Sequence, residues 1–275
     1  MSPYAKLRFY IFDWDDNVLY VDSTIELEEL VGGAWMARPF STSEYARVRQ
    51  LLRAATHYRY PLRENGLPDY ERAYANFGDK PGLPSRFLPD VQAALAAQRK
   101  GPSYARFVEA LVSGSLFMIC TARAHRPSSL REAVEYFVAQ VLTQAQRTQM
   151  HERLAGYYRY FKERAAPDFT TLLGWYLDKC GFTPVNSPEF QATLGAGEHE
   201  LALAKSVAVD RFLSYASGLT YRYAPKIASI SIGYSDDDPA NVAAIAQLFD
   251  ERPYPNVQYH LYDTSGQLNE LIPTL

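Results

Sequence analysis

The chain has 275 residues, 47% apolar and 21% charged, and its 28 Lys and Arg against 31 Asp and Glu leave a net charge of −3. That length buries a large core without staples, and the near-neutral balance argues against chains that hold nucleic acid by charge alone. No run approaches the roughly 20 apolar residues of a membrane span, and Cys120 and Cys180 are too few for a disulfide framework.

The N-terminal "MSPYAKLRFY" has no apolar run ahead of the first strand, so no secretory signal is expected. With reduced thiols, a cytoplasmic protein is the expectation. In chain order, residues 7–12 read as a strand covered on both faces. Residues 23–34 alternate apolar and acidic positions up to Gly-Gly and read as a short hairpin or a short helix. Residues 41–60 open with a Ser/Thr cap and carry apolar residues at helical spacing. "YPLRENGLPDY" and "GDKPGLPSRFLPD" are loops broken by Gly and Pro, and Asp90 is read as the cap of a helix closed by Gly101. A helix over 103–112 leads to a second strand, 115–120. Helix is then predicted almost continuously over 128–165, and again over 168–180, before a Pro-rich loop. A helix over 198–216, a strand over 226–233, a helix over 239–248 and a strand over 256–263 complete the chain.

Strands alternating with helices predict an α/β fold built on a parallel, doubly wound sheet. The core is assigned to residues 1–34, 105–134 and 196–275. The stretches 35–104 and 135–195 exceed the usual crossover length and are expected to be helical inserts, the first a cap.

Each strong strand ends in polar chemistry. Asp13, Asp15 and Asp16 follow the first; Thr121, Ala122 and Arg123 the second; Ser235, Asp236, Asp237 and Asp238 the third. Ligands in open α/β sheets bind outside the carboxyl ends of the strands, so these sets should share one crevice. Carboxylates packed there repel one another unless a cation, a proton or open water compensates. An oxygen-only set without His or Cys suits a hard ion such as Mg²⁺. A calcium loop does not account for "DWDDN": Val18 stands at the sixth position, Thr24 at the twelfth, and a strand rather than a helix precedes it.

"IFDWDDNVL" resembles the first motif of the haloacid dehalogenase-like (HAD) phosphatase superfamily, a strand followed by Asp-x-Asp. "FMICTAR" resembles its second motif, an apolar strand ending in Thr or Ser, and "SISIGYSDDD" its fourth. The order matches over residues 9 to about 245. The resemblance implies a Rossmann-like core with helical insertions and an Mg²⁺-dependent phosphohydrolase working through an aspartyl-phosphate. In it Asp13 is the nucleophile. Asp15 protonates the leaving oxygen and then deprotonates water; an acid here favours phosphate chemistry over dehalogenation. Thr121 binds a phosphoryl oxygen, helped by backbone N–H groups from Ala122 onward. The metal is assigned to the Asp13 carboxylate, the Asp15 backbone carbonyl and Asp236 or Asp237, with Asp236 first in line.

The family also has a phosphate-holding lysine. Lys226 opens its strand and so lies near the opposite sheet edge, whereas Lys205 starts a helix whose N-terminus faces the carboxyl edge in a right-handed crossover; Lys205 is chosen. Asp16, Asn17 and Tyr234 depart from the family pattern, and Asp238 before Pro239 reads as a helix cap. Arg123 and His125 stand where they could contact substrate. The expected substrate is a small phosphomonoester or nucleotide. A phosphorylated nucleic-acid end is the alternative, and a catalytically idle binding protein with the same fold is the rival class. Tyr-Arg-Tyr recurs at 58–60, 158–160 and 221–223; it could stack bases, but ordinary packing is the favoured reading.

Overall fold

Apolar runs with no polar face can be satisfied only where helices cover both sides of a sheet, and three such runs form the centre of this protein. The structure, a computed structural model, describes residues 6–52, 56–80, 82–195, 201–222, 229–252, 257–266 and 270–272. Strand β1 (Lys6–Phe12) is followed by β2 (Ile25–Val31), β3 (Ala34–Phe40), α1 (Thr42–Leu52), β4 (Tyr58–Arg59) and the short α2 (Tyr70–Ala73). Then come α3 (Phe87–Ala96), α4 (Tyr104–Ser113), β5 (Leu116–Thr121), α5 (Pro127–Val141), α6 (Gln144–Lys162), α7 (Phe169–Leu177) and β6 (Gly181–Pro184). The chain ends with α8 (Pro188–Gln191), α9 (Leu201–Arg222), β7 (Ser229–Asp236), α10 (Pro239–Glu251), β8 (Val257–Asp263) and β9 (Glu270–Ile272).

The main sheet runs β6-β5-β1-β7-β8-β9, parallel except for the antiparallel edge strand β9. Counted along the chain, its five parallel strands lie in the order 3-2-1-4-5, a Rossmann-like arrangement that reverses direction between β1 and β7. Side chains of β1 alternate between two cores. Tyr10 and Phe12 join helices α3 to α7 on one face, while Phe9 and Ile11 join α9 and α10 on the other.

A second, antiparallel sheet of order β3-β2-β4 carries α1 on a small core of Ile25, Leu27, Phe40 and Phe77, with Tyr45 and Val48 packed against it. Of the two readings of residues 23–34 the hairpin is the nearer: they supply β2 and the turn, but the second strand, β3, lies almost wholly beyond them, pairing across Gly32-Gly33, whose φ values of 60° and 84° only glycine adopts cheaply. The expected boundary at residue 35 therefore cuts a hairpin, and the insert begins with β2. It is a mixed sheet-and-helix unit, not a helical one. Its helix stops at Leu52, and Tyr58-Arg59 pair with β2 instead of extending a helix to residue 60.

The stretch 135–195 is likewise not a separate insert. Its helices bury Phe137, Leu154, Leu172 and Tyr176 in the same cluster as Phe117 of β5, and residues read as a Pro-rich loop supply the edge strand β6. Thr143 and Gln146 form a capping box that divides the predicted continuous helix into α5 and α6. Helix α9 passes through Gly218, a solvent-facing position, and ends at Arg222.

Candidate active site

The sheet's reversal point lies between β1 and β7, and both strands end there in aspartates. Phe12 pairs with Ser235, so Asp13 and Asp236 emerge side by side, and the Asp13 N–H donates to the Ser235 carbonyl (3.0 Å). Strand β7 runs three residues beyond its predicted end, placing Asp236 inside the sheet ladder. Thr121 ends the neighbouring strand on the other side of β1. The three strand-end sets do converge.

Lys205, in the second turn of α9, reaches this edge and is 2% exposed. Its Nζ donates to Asp13 Oδ1 (3.0 Å) and Asp236 Oδ2 (2.7 Å). Lys226 lies outside the described residues. Asp236 is saturated: Oδ2 also accepts from the Tyr234 hydroxyl (2.6 Å), and Oδ1 accepts from the Asp238 N–H (3.0 Å) and Asn241 Nδ2 (3.1 Å). The Tyr234 hydroxyl is thus a neutral donor to the acid two residues on. Asp237 is half-buried, and among the described residues its carboxylate has no hydrogen bond or ion pair. Oxygens of Asp13, Asp236 and Asp237 all lie within 4.8 Å of one another. Asp236 is committed to four donors, whereas Asp237 keeps its oxygens open.

Burial drives the Asp13 carboxyl up to about 8; Lys205 opposes this, and Asp236 and Asp15 reinforce it. Burial also raises Asp237, with the Asp13 and Asp236 charges adding to it. Burial would lower Lys205, but Asp13 and Asp236 outweigh it and hold the ammonium well above its ordinary value. Ionised together, the three acids would outweigh the one ammonium, a deficit that a divalent cation would fill.

Asp15 is held by a different set of partners from Asp13 and Asp236. Arg123 grips it through Nε (3.0 and 2.9 Å to the two oxygens) and Nη2 (2.7 Å to Oδ1), and Thr121 Oγ1 donates to Oδ2 (3.2 Å). Arg123 has no exposed surface, so the expectation that it meets substrate is corrected. Ala122 is half-buried and its carbonyl accepts from Asn186 Nδ2 (2.6 Å).

The loop after Asp13 is pinned from several sides. Asn17 Nδ2 donates to the carbonyls of Asp13 and Ser235 and to Ser235 Oγ (3.0 Å each), while its Oδ1 accepts from Thr264. The Ser103 N–H donates to the Asn17 carbonyl (2.8 Å), and a Cβ on Gly101 would sit 2.3 Å from that oxygen, so only glycine fits beneath the loop. Asp16 takes a left-handed φ of 54° and accepts from Thr42 of α1. Asp238 caps α10, as expected, accepting from the Ala240 N–H (3.0 Å), and pairs with Arg49 of α1 (2.7 Å). These two contacts tie α1 of the small sheet-and-helix unit to residues at the carboxyl edge. Asp90 does not cap a helix, since α3 already begins at Phe87; it accepts from Ser23 and lies 3.5 Å from Arg123.

No protein-family model, curated protein or solved structure matches the chain. The likeness to HAD phosphatases therefore stands on these residues alone.

His125 is fully buried against Phe87, with neither ring nitrogen partnered among the described residues. Burial, then the Arg123 charge, lowers its pKa to about 4. A depressed histidine contributes stability that is complete above its unfolded value of about 6.5 and drains as pH falls toward 4. His125→Leu should flatten that acid limb, which thermal melts at pH 7.5 and 4.5 would show; an unchanged slope would refute the buried neutral imidazole. Two Tyr-Arg-Tyr segments are packing elements, as expected. Tyr58 lies edge-on to Phe40 and Arg59 pairs with Glu28, while Tyr158 lies edge-on to Trp175. The third includes residues outside the described set.

Proposed function

We propose that the protein is a Mg²⁺-dependent phosphohydrolase that forms an aspartyl-phosphate on Asp13. The observation that carries this reading is the convergence of Asp13, Asp15, Thr121 and Lys205 on one sheet edge, beside an oxygen-only group of Asp13, Asp236 and Asp237 whose oxygens lie within 4.8 Å of one another. Asp13 and Asp237, backed by Asp236 and the Asp15 carbonyl, would hold the cation. Bound there, it supplies charge to screen a carboxylate from the phosphate it attacks.

Lys205 steers Asp13 Oδ1 and offers its ammonium to the phosphoryl oxygens. Thr121 turns its hydroxyl to a phosphoryl oxygen. Asp13 forms a bond to phosphorus as the bond to the leaving oxygen breaks, and Asp15 gives its proton to that oxygen. Asp15 then takes a proton from water, the water oxygen bonds to phosphorus, and the Asp13–phosphorus bond breaks to release phosphate. The cap excludes bulk water while the acyl phosphate exists.

The enclosed site favours a small phosphomonoester or nucleotide over a nucleic-acid end, since Asp13 and Asp15 are 5% and 4% exposed beneath the cap. Among the described residues no helix is long and apolar enough to cross a membrane, and both cysteines are free; the cytoplasm is the compartment we propose. The test is phosphate release from phosphomonoesters, nucleotides and 3′-phosphorylated oligonucleotides. Release from the small substrates should stop with EDTA and return with excess Mg²⁺. EDTA-insensitive release, or none across the panel, would refute the reading.

A further inference from the structure

Arg123 is a charged side chain with no exposed surface, and its surroundings show what it is built to do. Its guanidinium lies between two rings, 4.9 Å from the centroid of Phe77 and 5.0 Å from that of Phe87. Phe77 belongs to the core of the cap and Phe87 to the core beside the main sheet. Nη2 also donates to Ser23 Oγ (2.9 Å), and Nη1 faces Asp90 Oδ2 at 3.5 Å. Every side of the fork is occupied by protein, and its bidentate edge is spent on Asp15. An arginine so enclosed cannot reach a substrate, but it can fix the plane and rotamer of a carboxylate.

Building on the phosphohydrolase reading, we propose that Arg123 is a positioning residue that aims Asp15 at the leaving-group oxygen, and that it does so from the seam between cap and core. Asp15 Oδ1 takes two donors from Arg123, while Oδ2 shares only its Nε–H (2.9 Å) and lies beside the Thr121 hydroxyl (3.2 Å), toward the phosphoryl-binding group. Oδ2 is the oxygen that carries the transferred proton. The proton passes from Oδ2 to the leaving oxygen as the phosphorus–oxygen bond breaks and Asp13 bonds to phosphorus; Arg123 gives up none of its own. Proton transfer by a side chain depends on such placement, and contributes about 10²–10⁴-fold. A cap displaced from Phe77 would loosen the fork, so Asp15 is aligned only under a docked cap.

A leaving group that departs without a proton does not need Asp15 in the first step, and the rate of that step separates positioning from a general structural role. Arg123→Lys keeps the charge and loses the fork. The first-turnover rate of leaving-group release from an alkyl phosphate should fall about 100-fold, while that from 2,4-dinitrophenyl phosphate stays within about 3-fold; the second step, in which Asp15 takes a proton from water, should slow alike with both. Asp15→Asn should show the same split. The double variant Asp15→Asn/Arg123→Lys should be no slower on the alkyl phosphate than Asp15→Asn alone, because the two act as one unit. If Arg123→Lys does not fold, Phe77→Leu, which removes only one stacking face, should give a weaker form of the same split. Equal first-turnover losses on both substrates, or losses that add in the double variant, would overturn the inference while leaving the phosphohydrolase intact. A wild-type protein inactive on both substrates would overturn both.

Discussion

Asp13→Asn is expected to lower phosphate release by roughly 10⁴-fold or more, the scale on which removal of a nucleophile acts, without unfolding the protein. The amide keeps the shape of the side chain, but it is far too weak a nucleophile to attack phosphorus. The substitution also has a stability signature. Burial, with Asp236 and Asp15, drives the Asp13 carboxyl to about 8 against the pull of Lys205. A folded-state value above the unfolded one means stability that is complete below the usual carboxylate range and lost as pH rises through 8. Without a divalent cation, the wild type should therefore weaken between pH 5 and pH 8.5, and Asp13→Asn should weaken less. Phosphate release together with thermal melts in EDTA at the two pH values tests both halves. Release within tenfold of the wild type would dismiss Asp13 as the nucleophile.

The parts of the site that were legible in the sequence are those the backbone alone determines. A parallel strand buried on both faces must be apolar along its length and can turn polar only where it leaves the sheet, so "YIFD", "MICT" and the acids after "SISIG" marked the carboxyl edge. Lys205 could be preferred to Lys226 because the handedness of the crossover places a helix start at that edge. What escaped notice depends on contacts between distant segments. Nothing in "FTPV" announces an edge strand, because four residues beside a proline carry too short a pattern to separate strand from loop. The cap sheet was half visible: the Gly-Gly turn marked the hairpin, but β4 is two residues long and its place was set by Glu28 and Arg59. Asn17 and Tyr234 looked like departures from the motif, and only the fold shows Asn17 tying β1 to β7 and Tyr234 satisfying Asp236. Arg123 was visible as a residue but not as a buried one. Its exposure is decided by Phe77 and Phe87, some 40 residues away in a stretch that reads as loop.

Lys205→Met should be the most destabilising single change at the site. The methionine fills much the same volume, so the effect is electrical: a buried ammonium disappears from between two carboxylates. Removing one partner of a buried ion pair commonly costs about 3–5 kcal/mol, because the remaining charge is left without compensation. The two aspartates do not bear this equally. Asp236 retains Tyr234, Asn241 and the Asp238 N–H, whereas Lys205 is the one side-chain donor to Asp13 among the described residues. Asp13 should respond by holding its proton to still higher pH, so the loss should be small at pH 5 and approach its full size above pH 8. A divalent cation seated among Asp13, Asp236 and Asp237 would restore the missing positive charge. Mg²⁺ should therefore raise the melting temperature of Lys205→Met at pH 8 more than that of the wild type, even though the variant lacks the lysine proposed to hold phosphate. Titrating Mg²⁺ against the melts of both proteins measures this directly. An equal shift in the two, or none, would mean that these acids do not share a cation and that Lys205 alone compensates them.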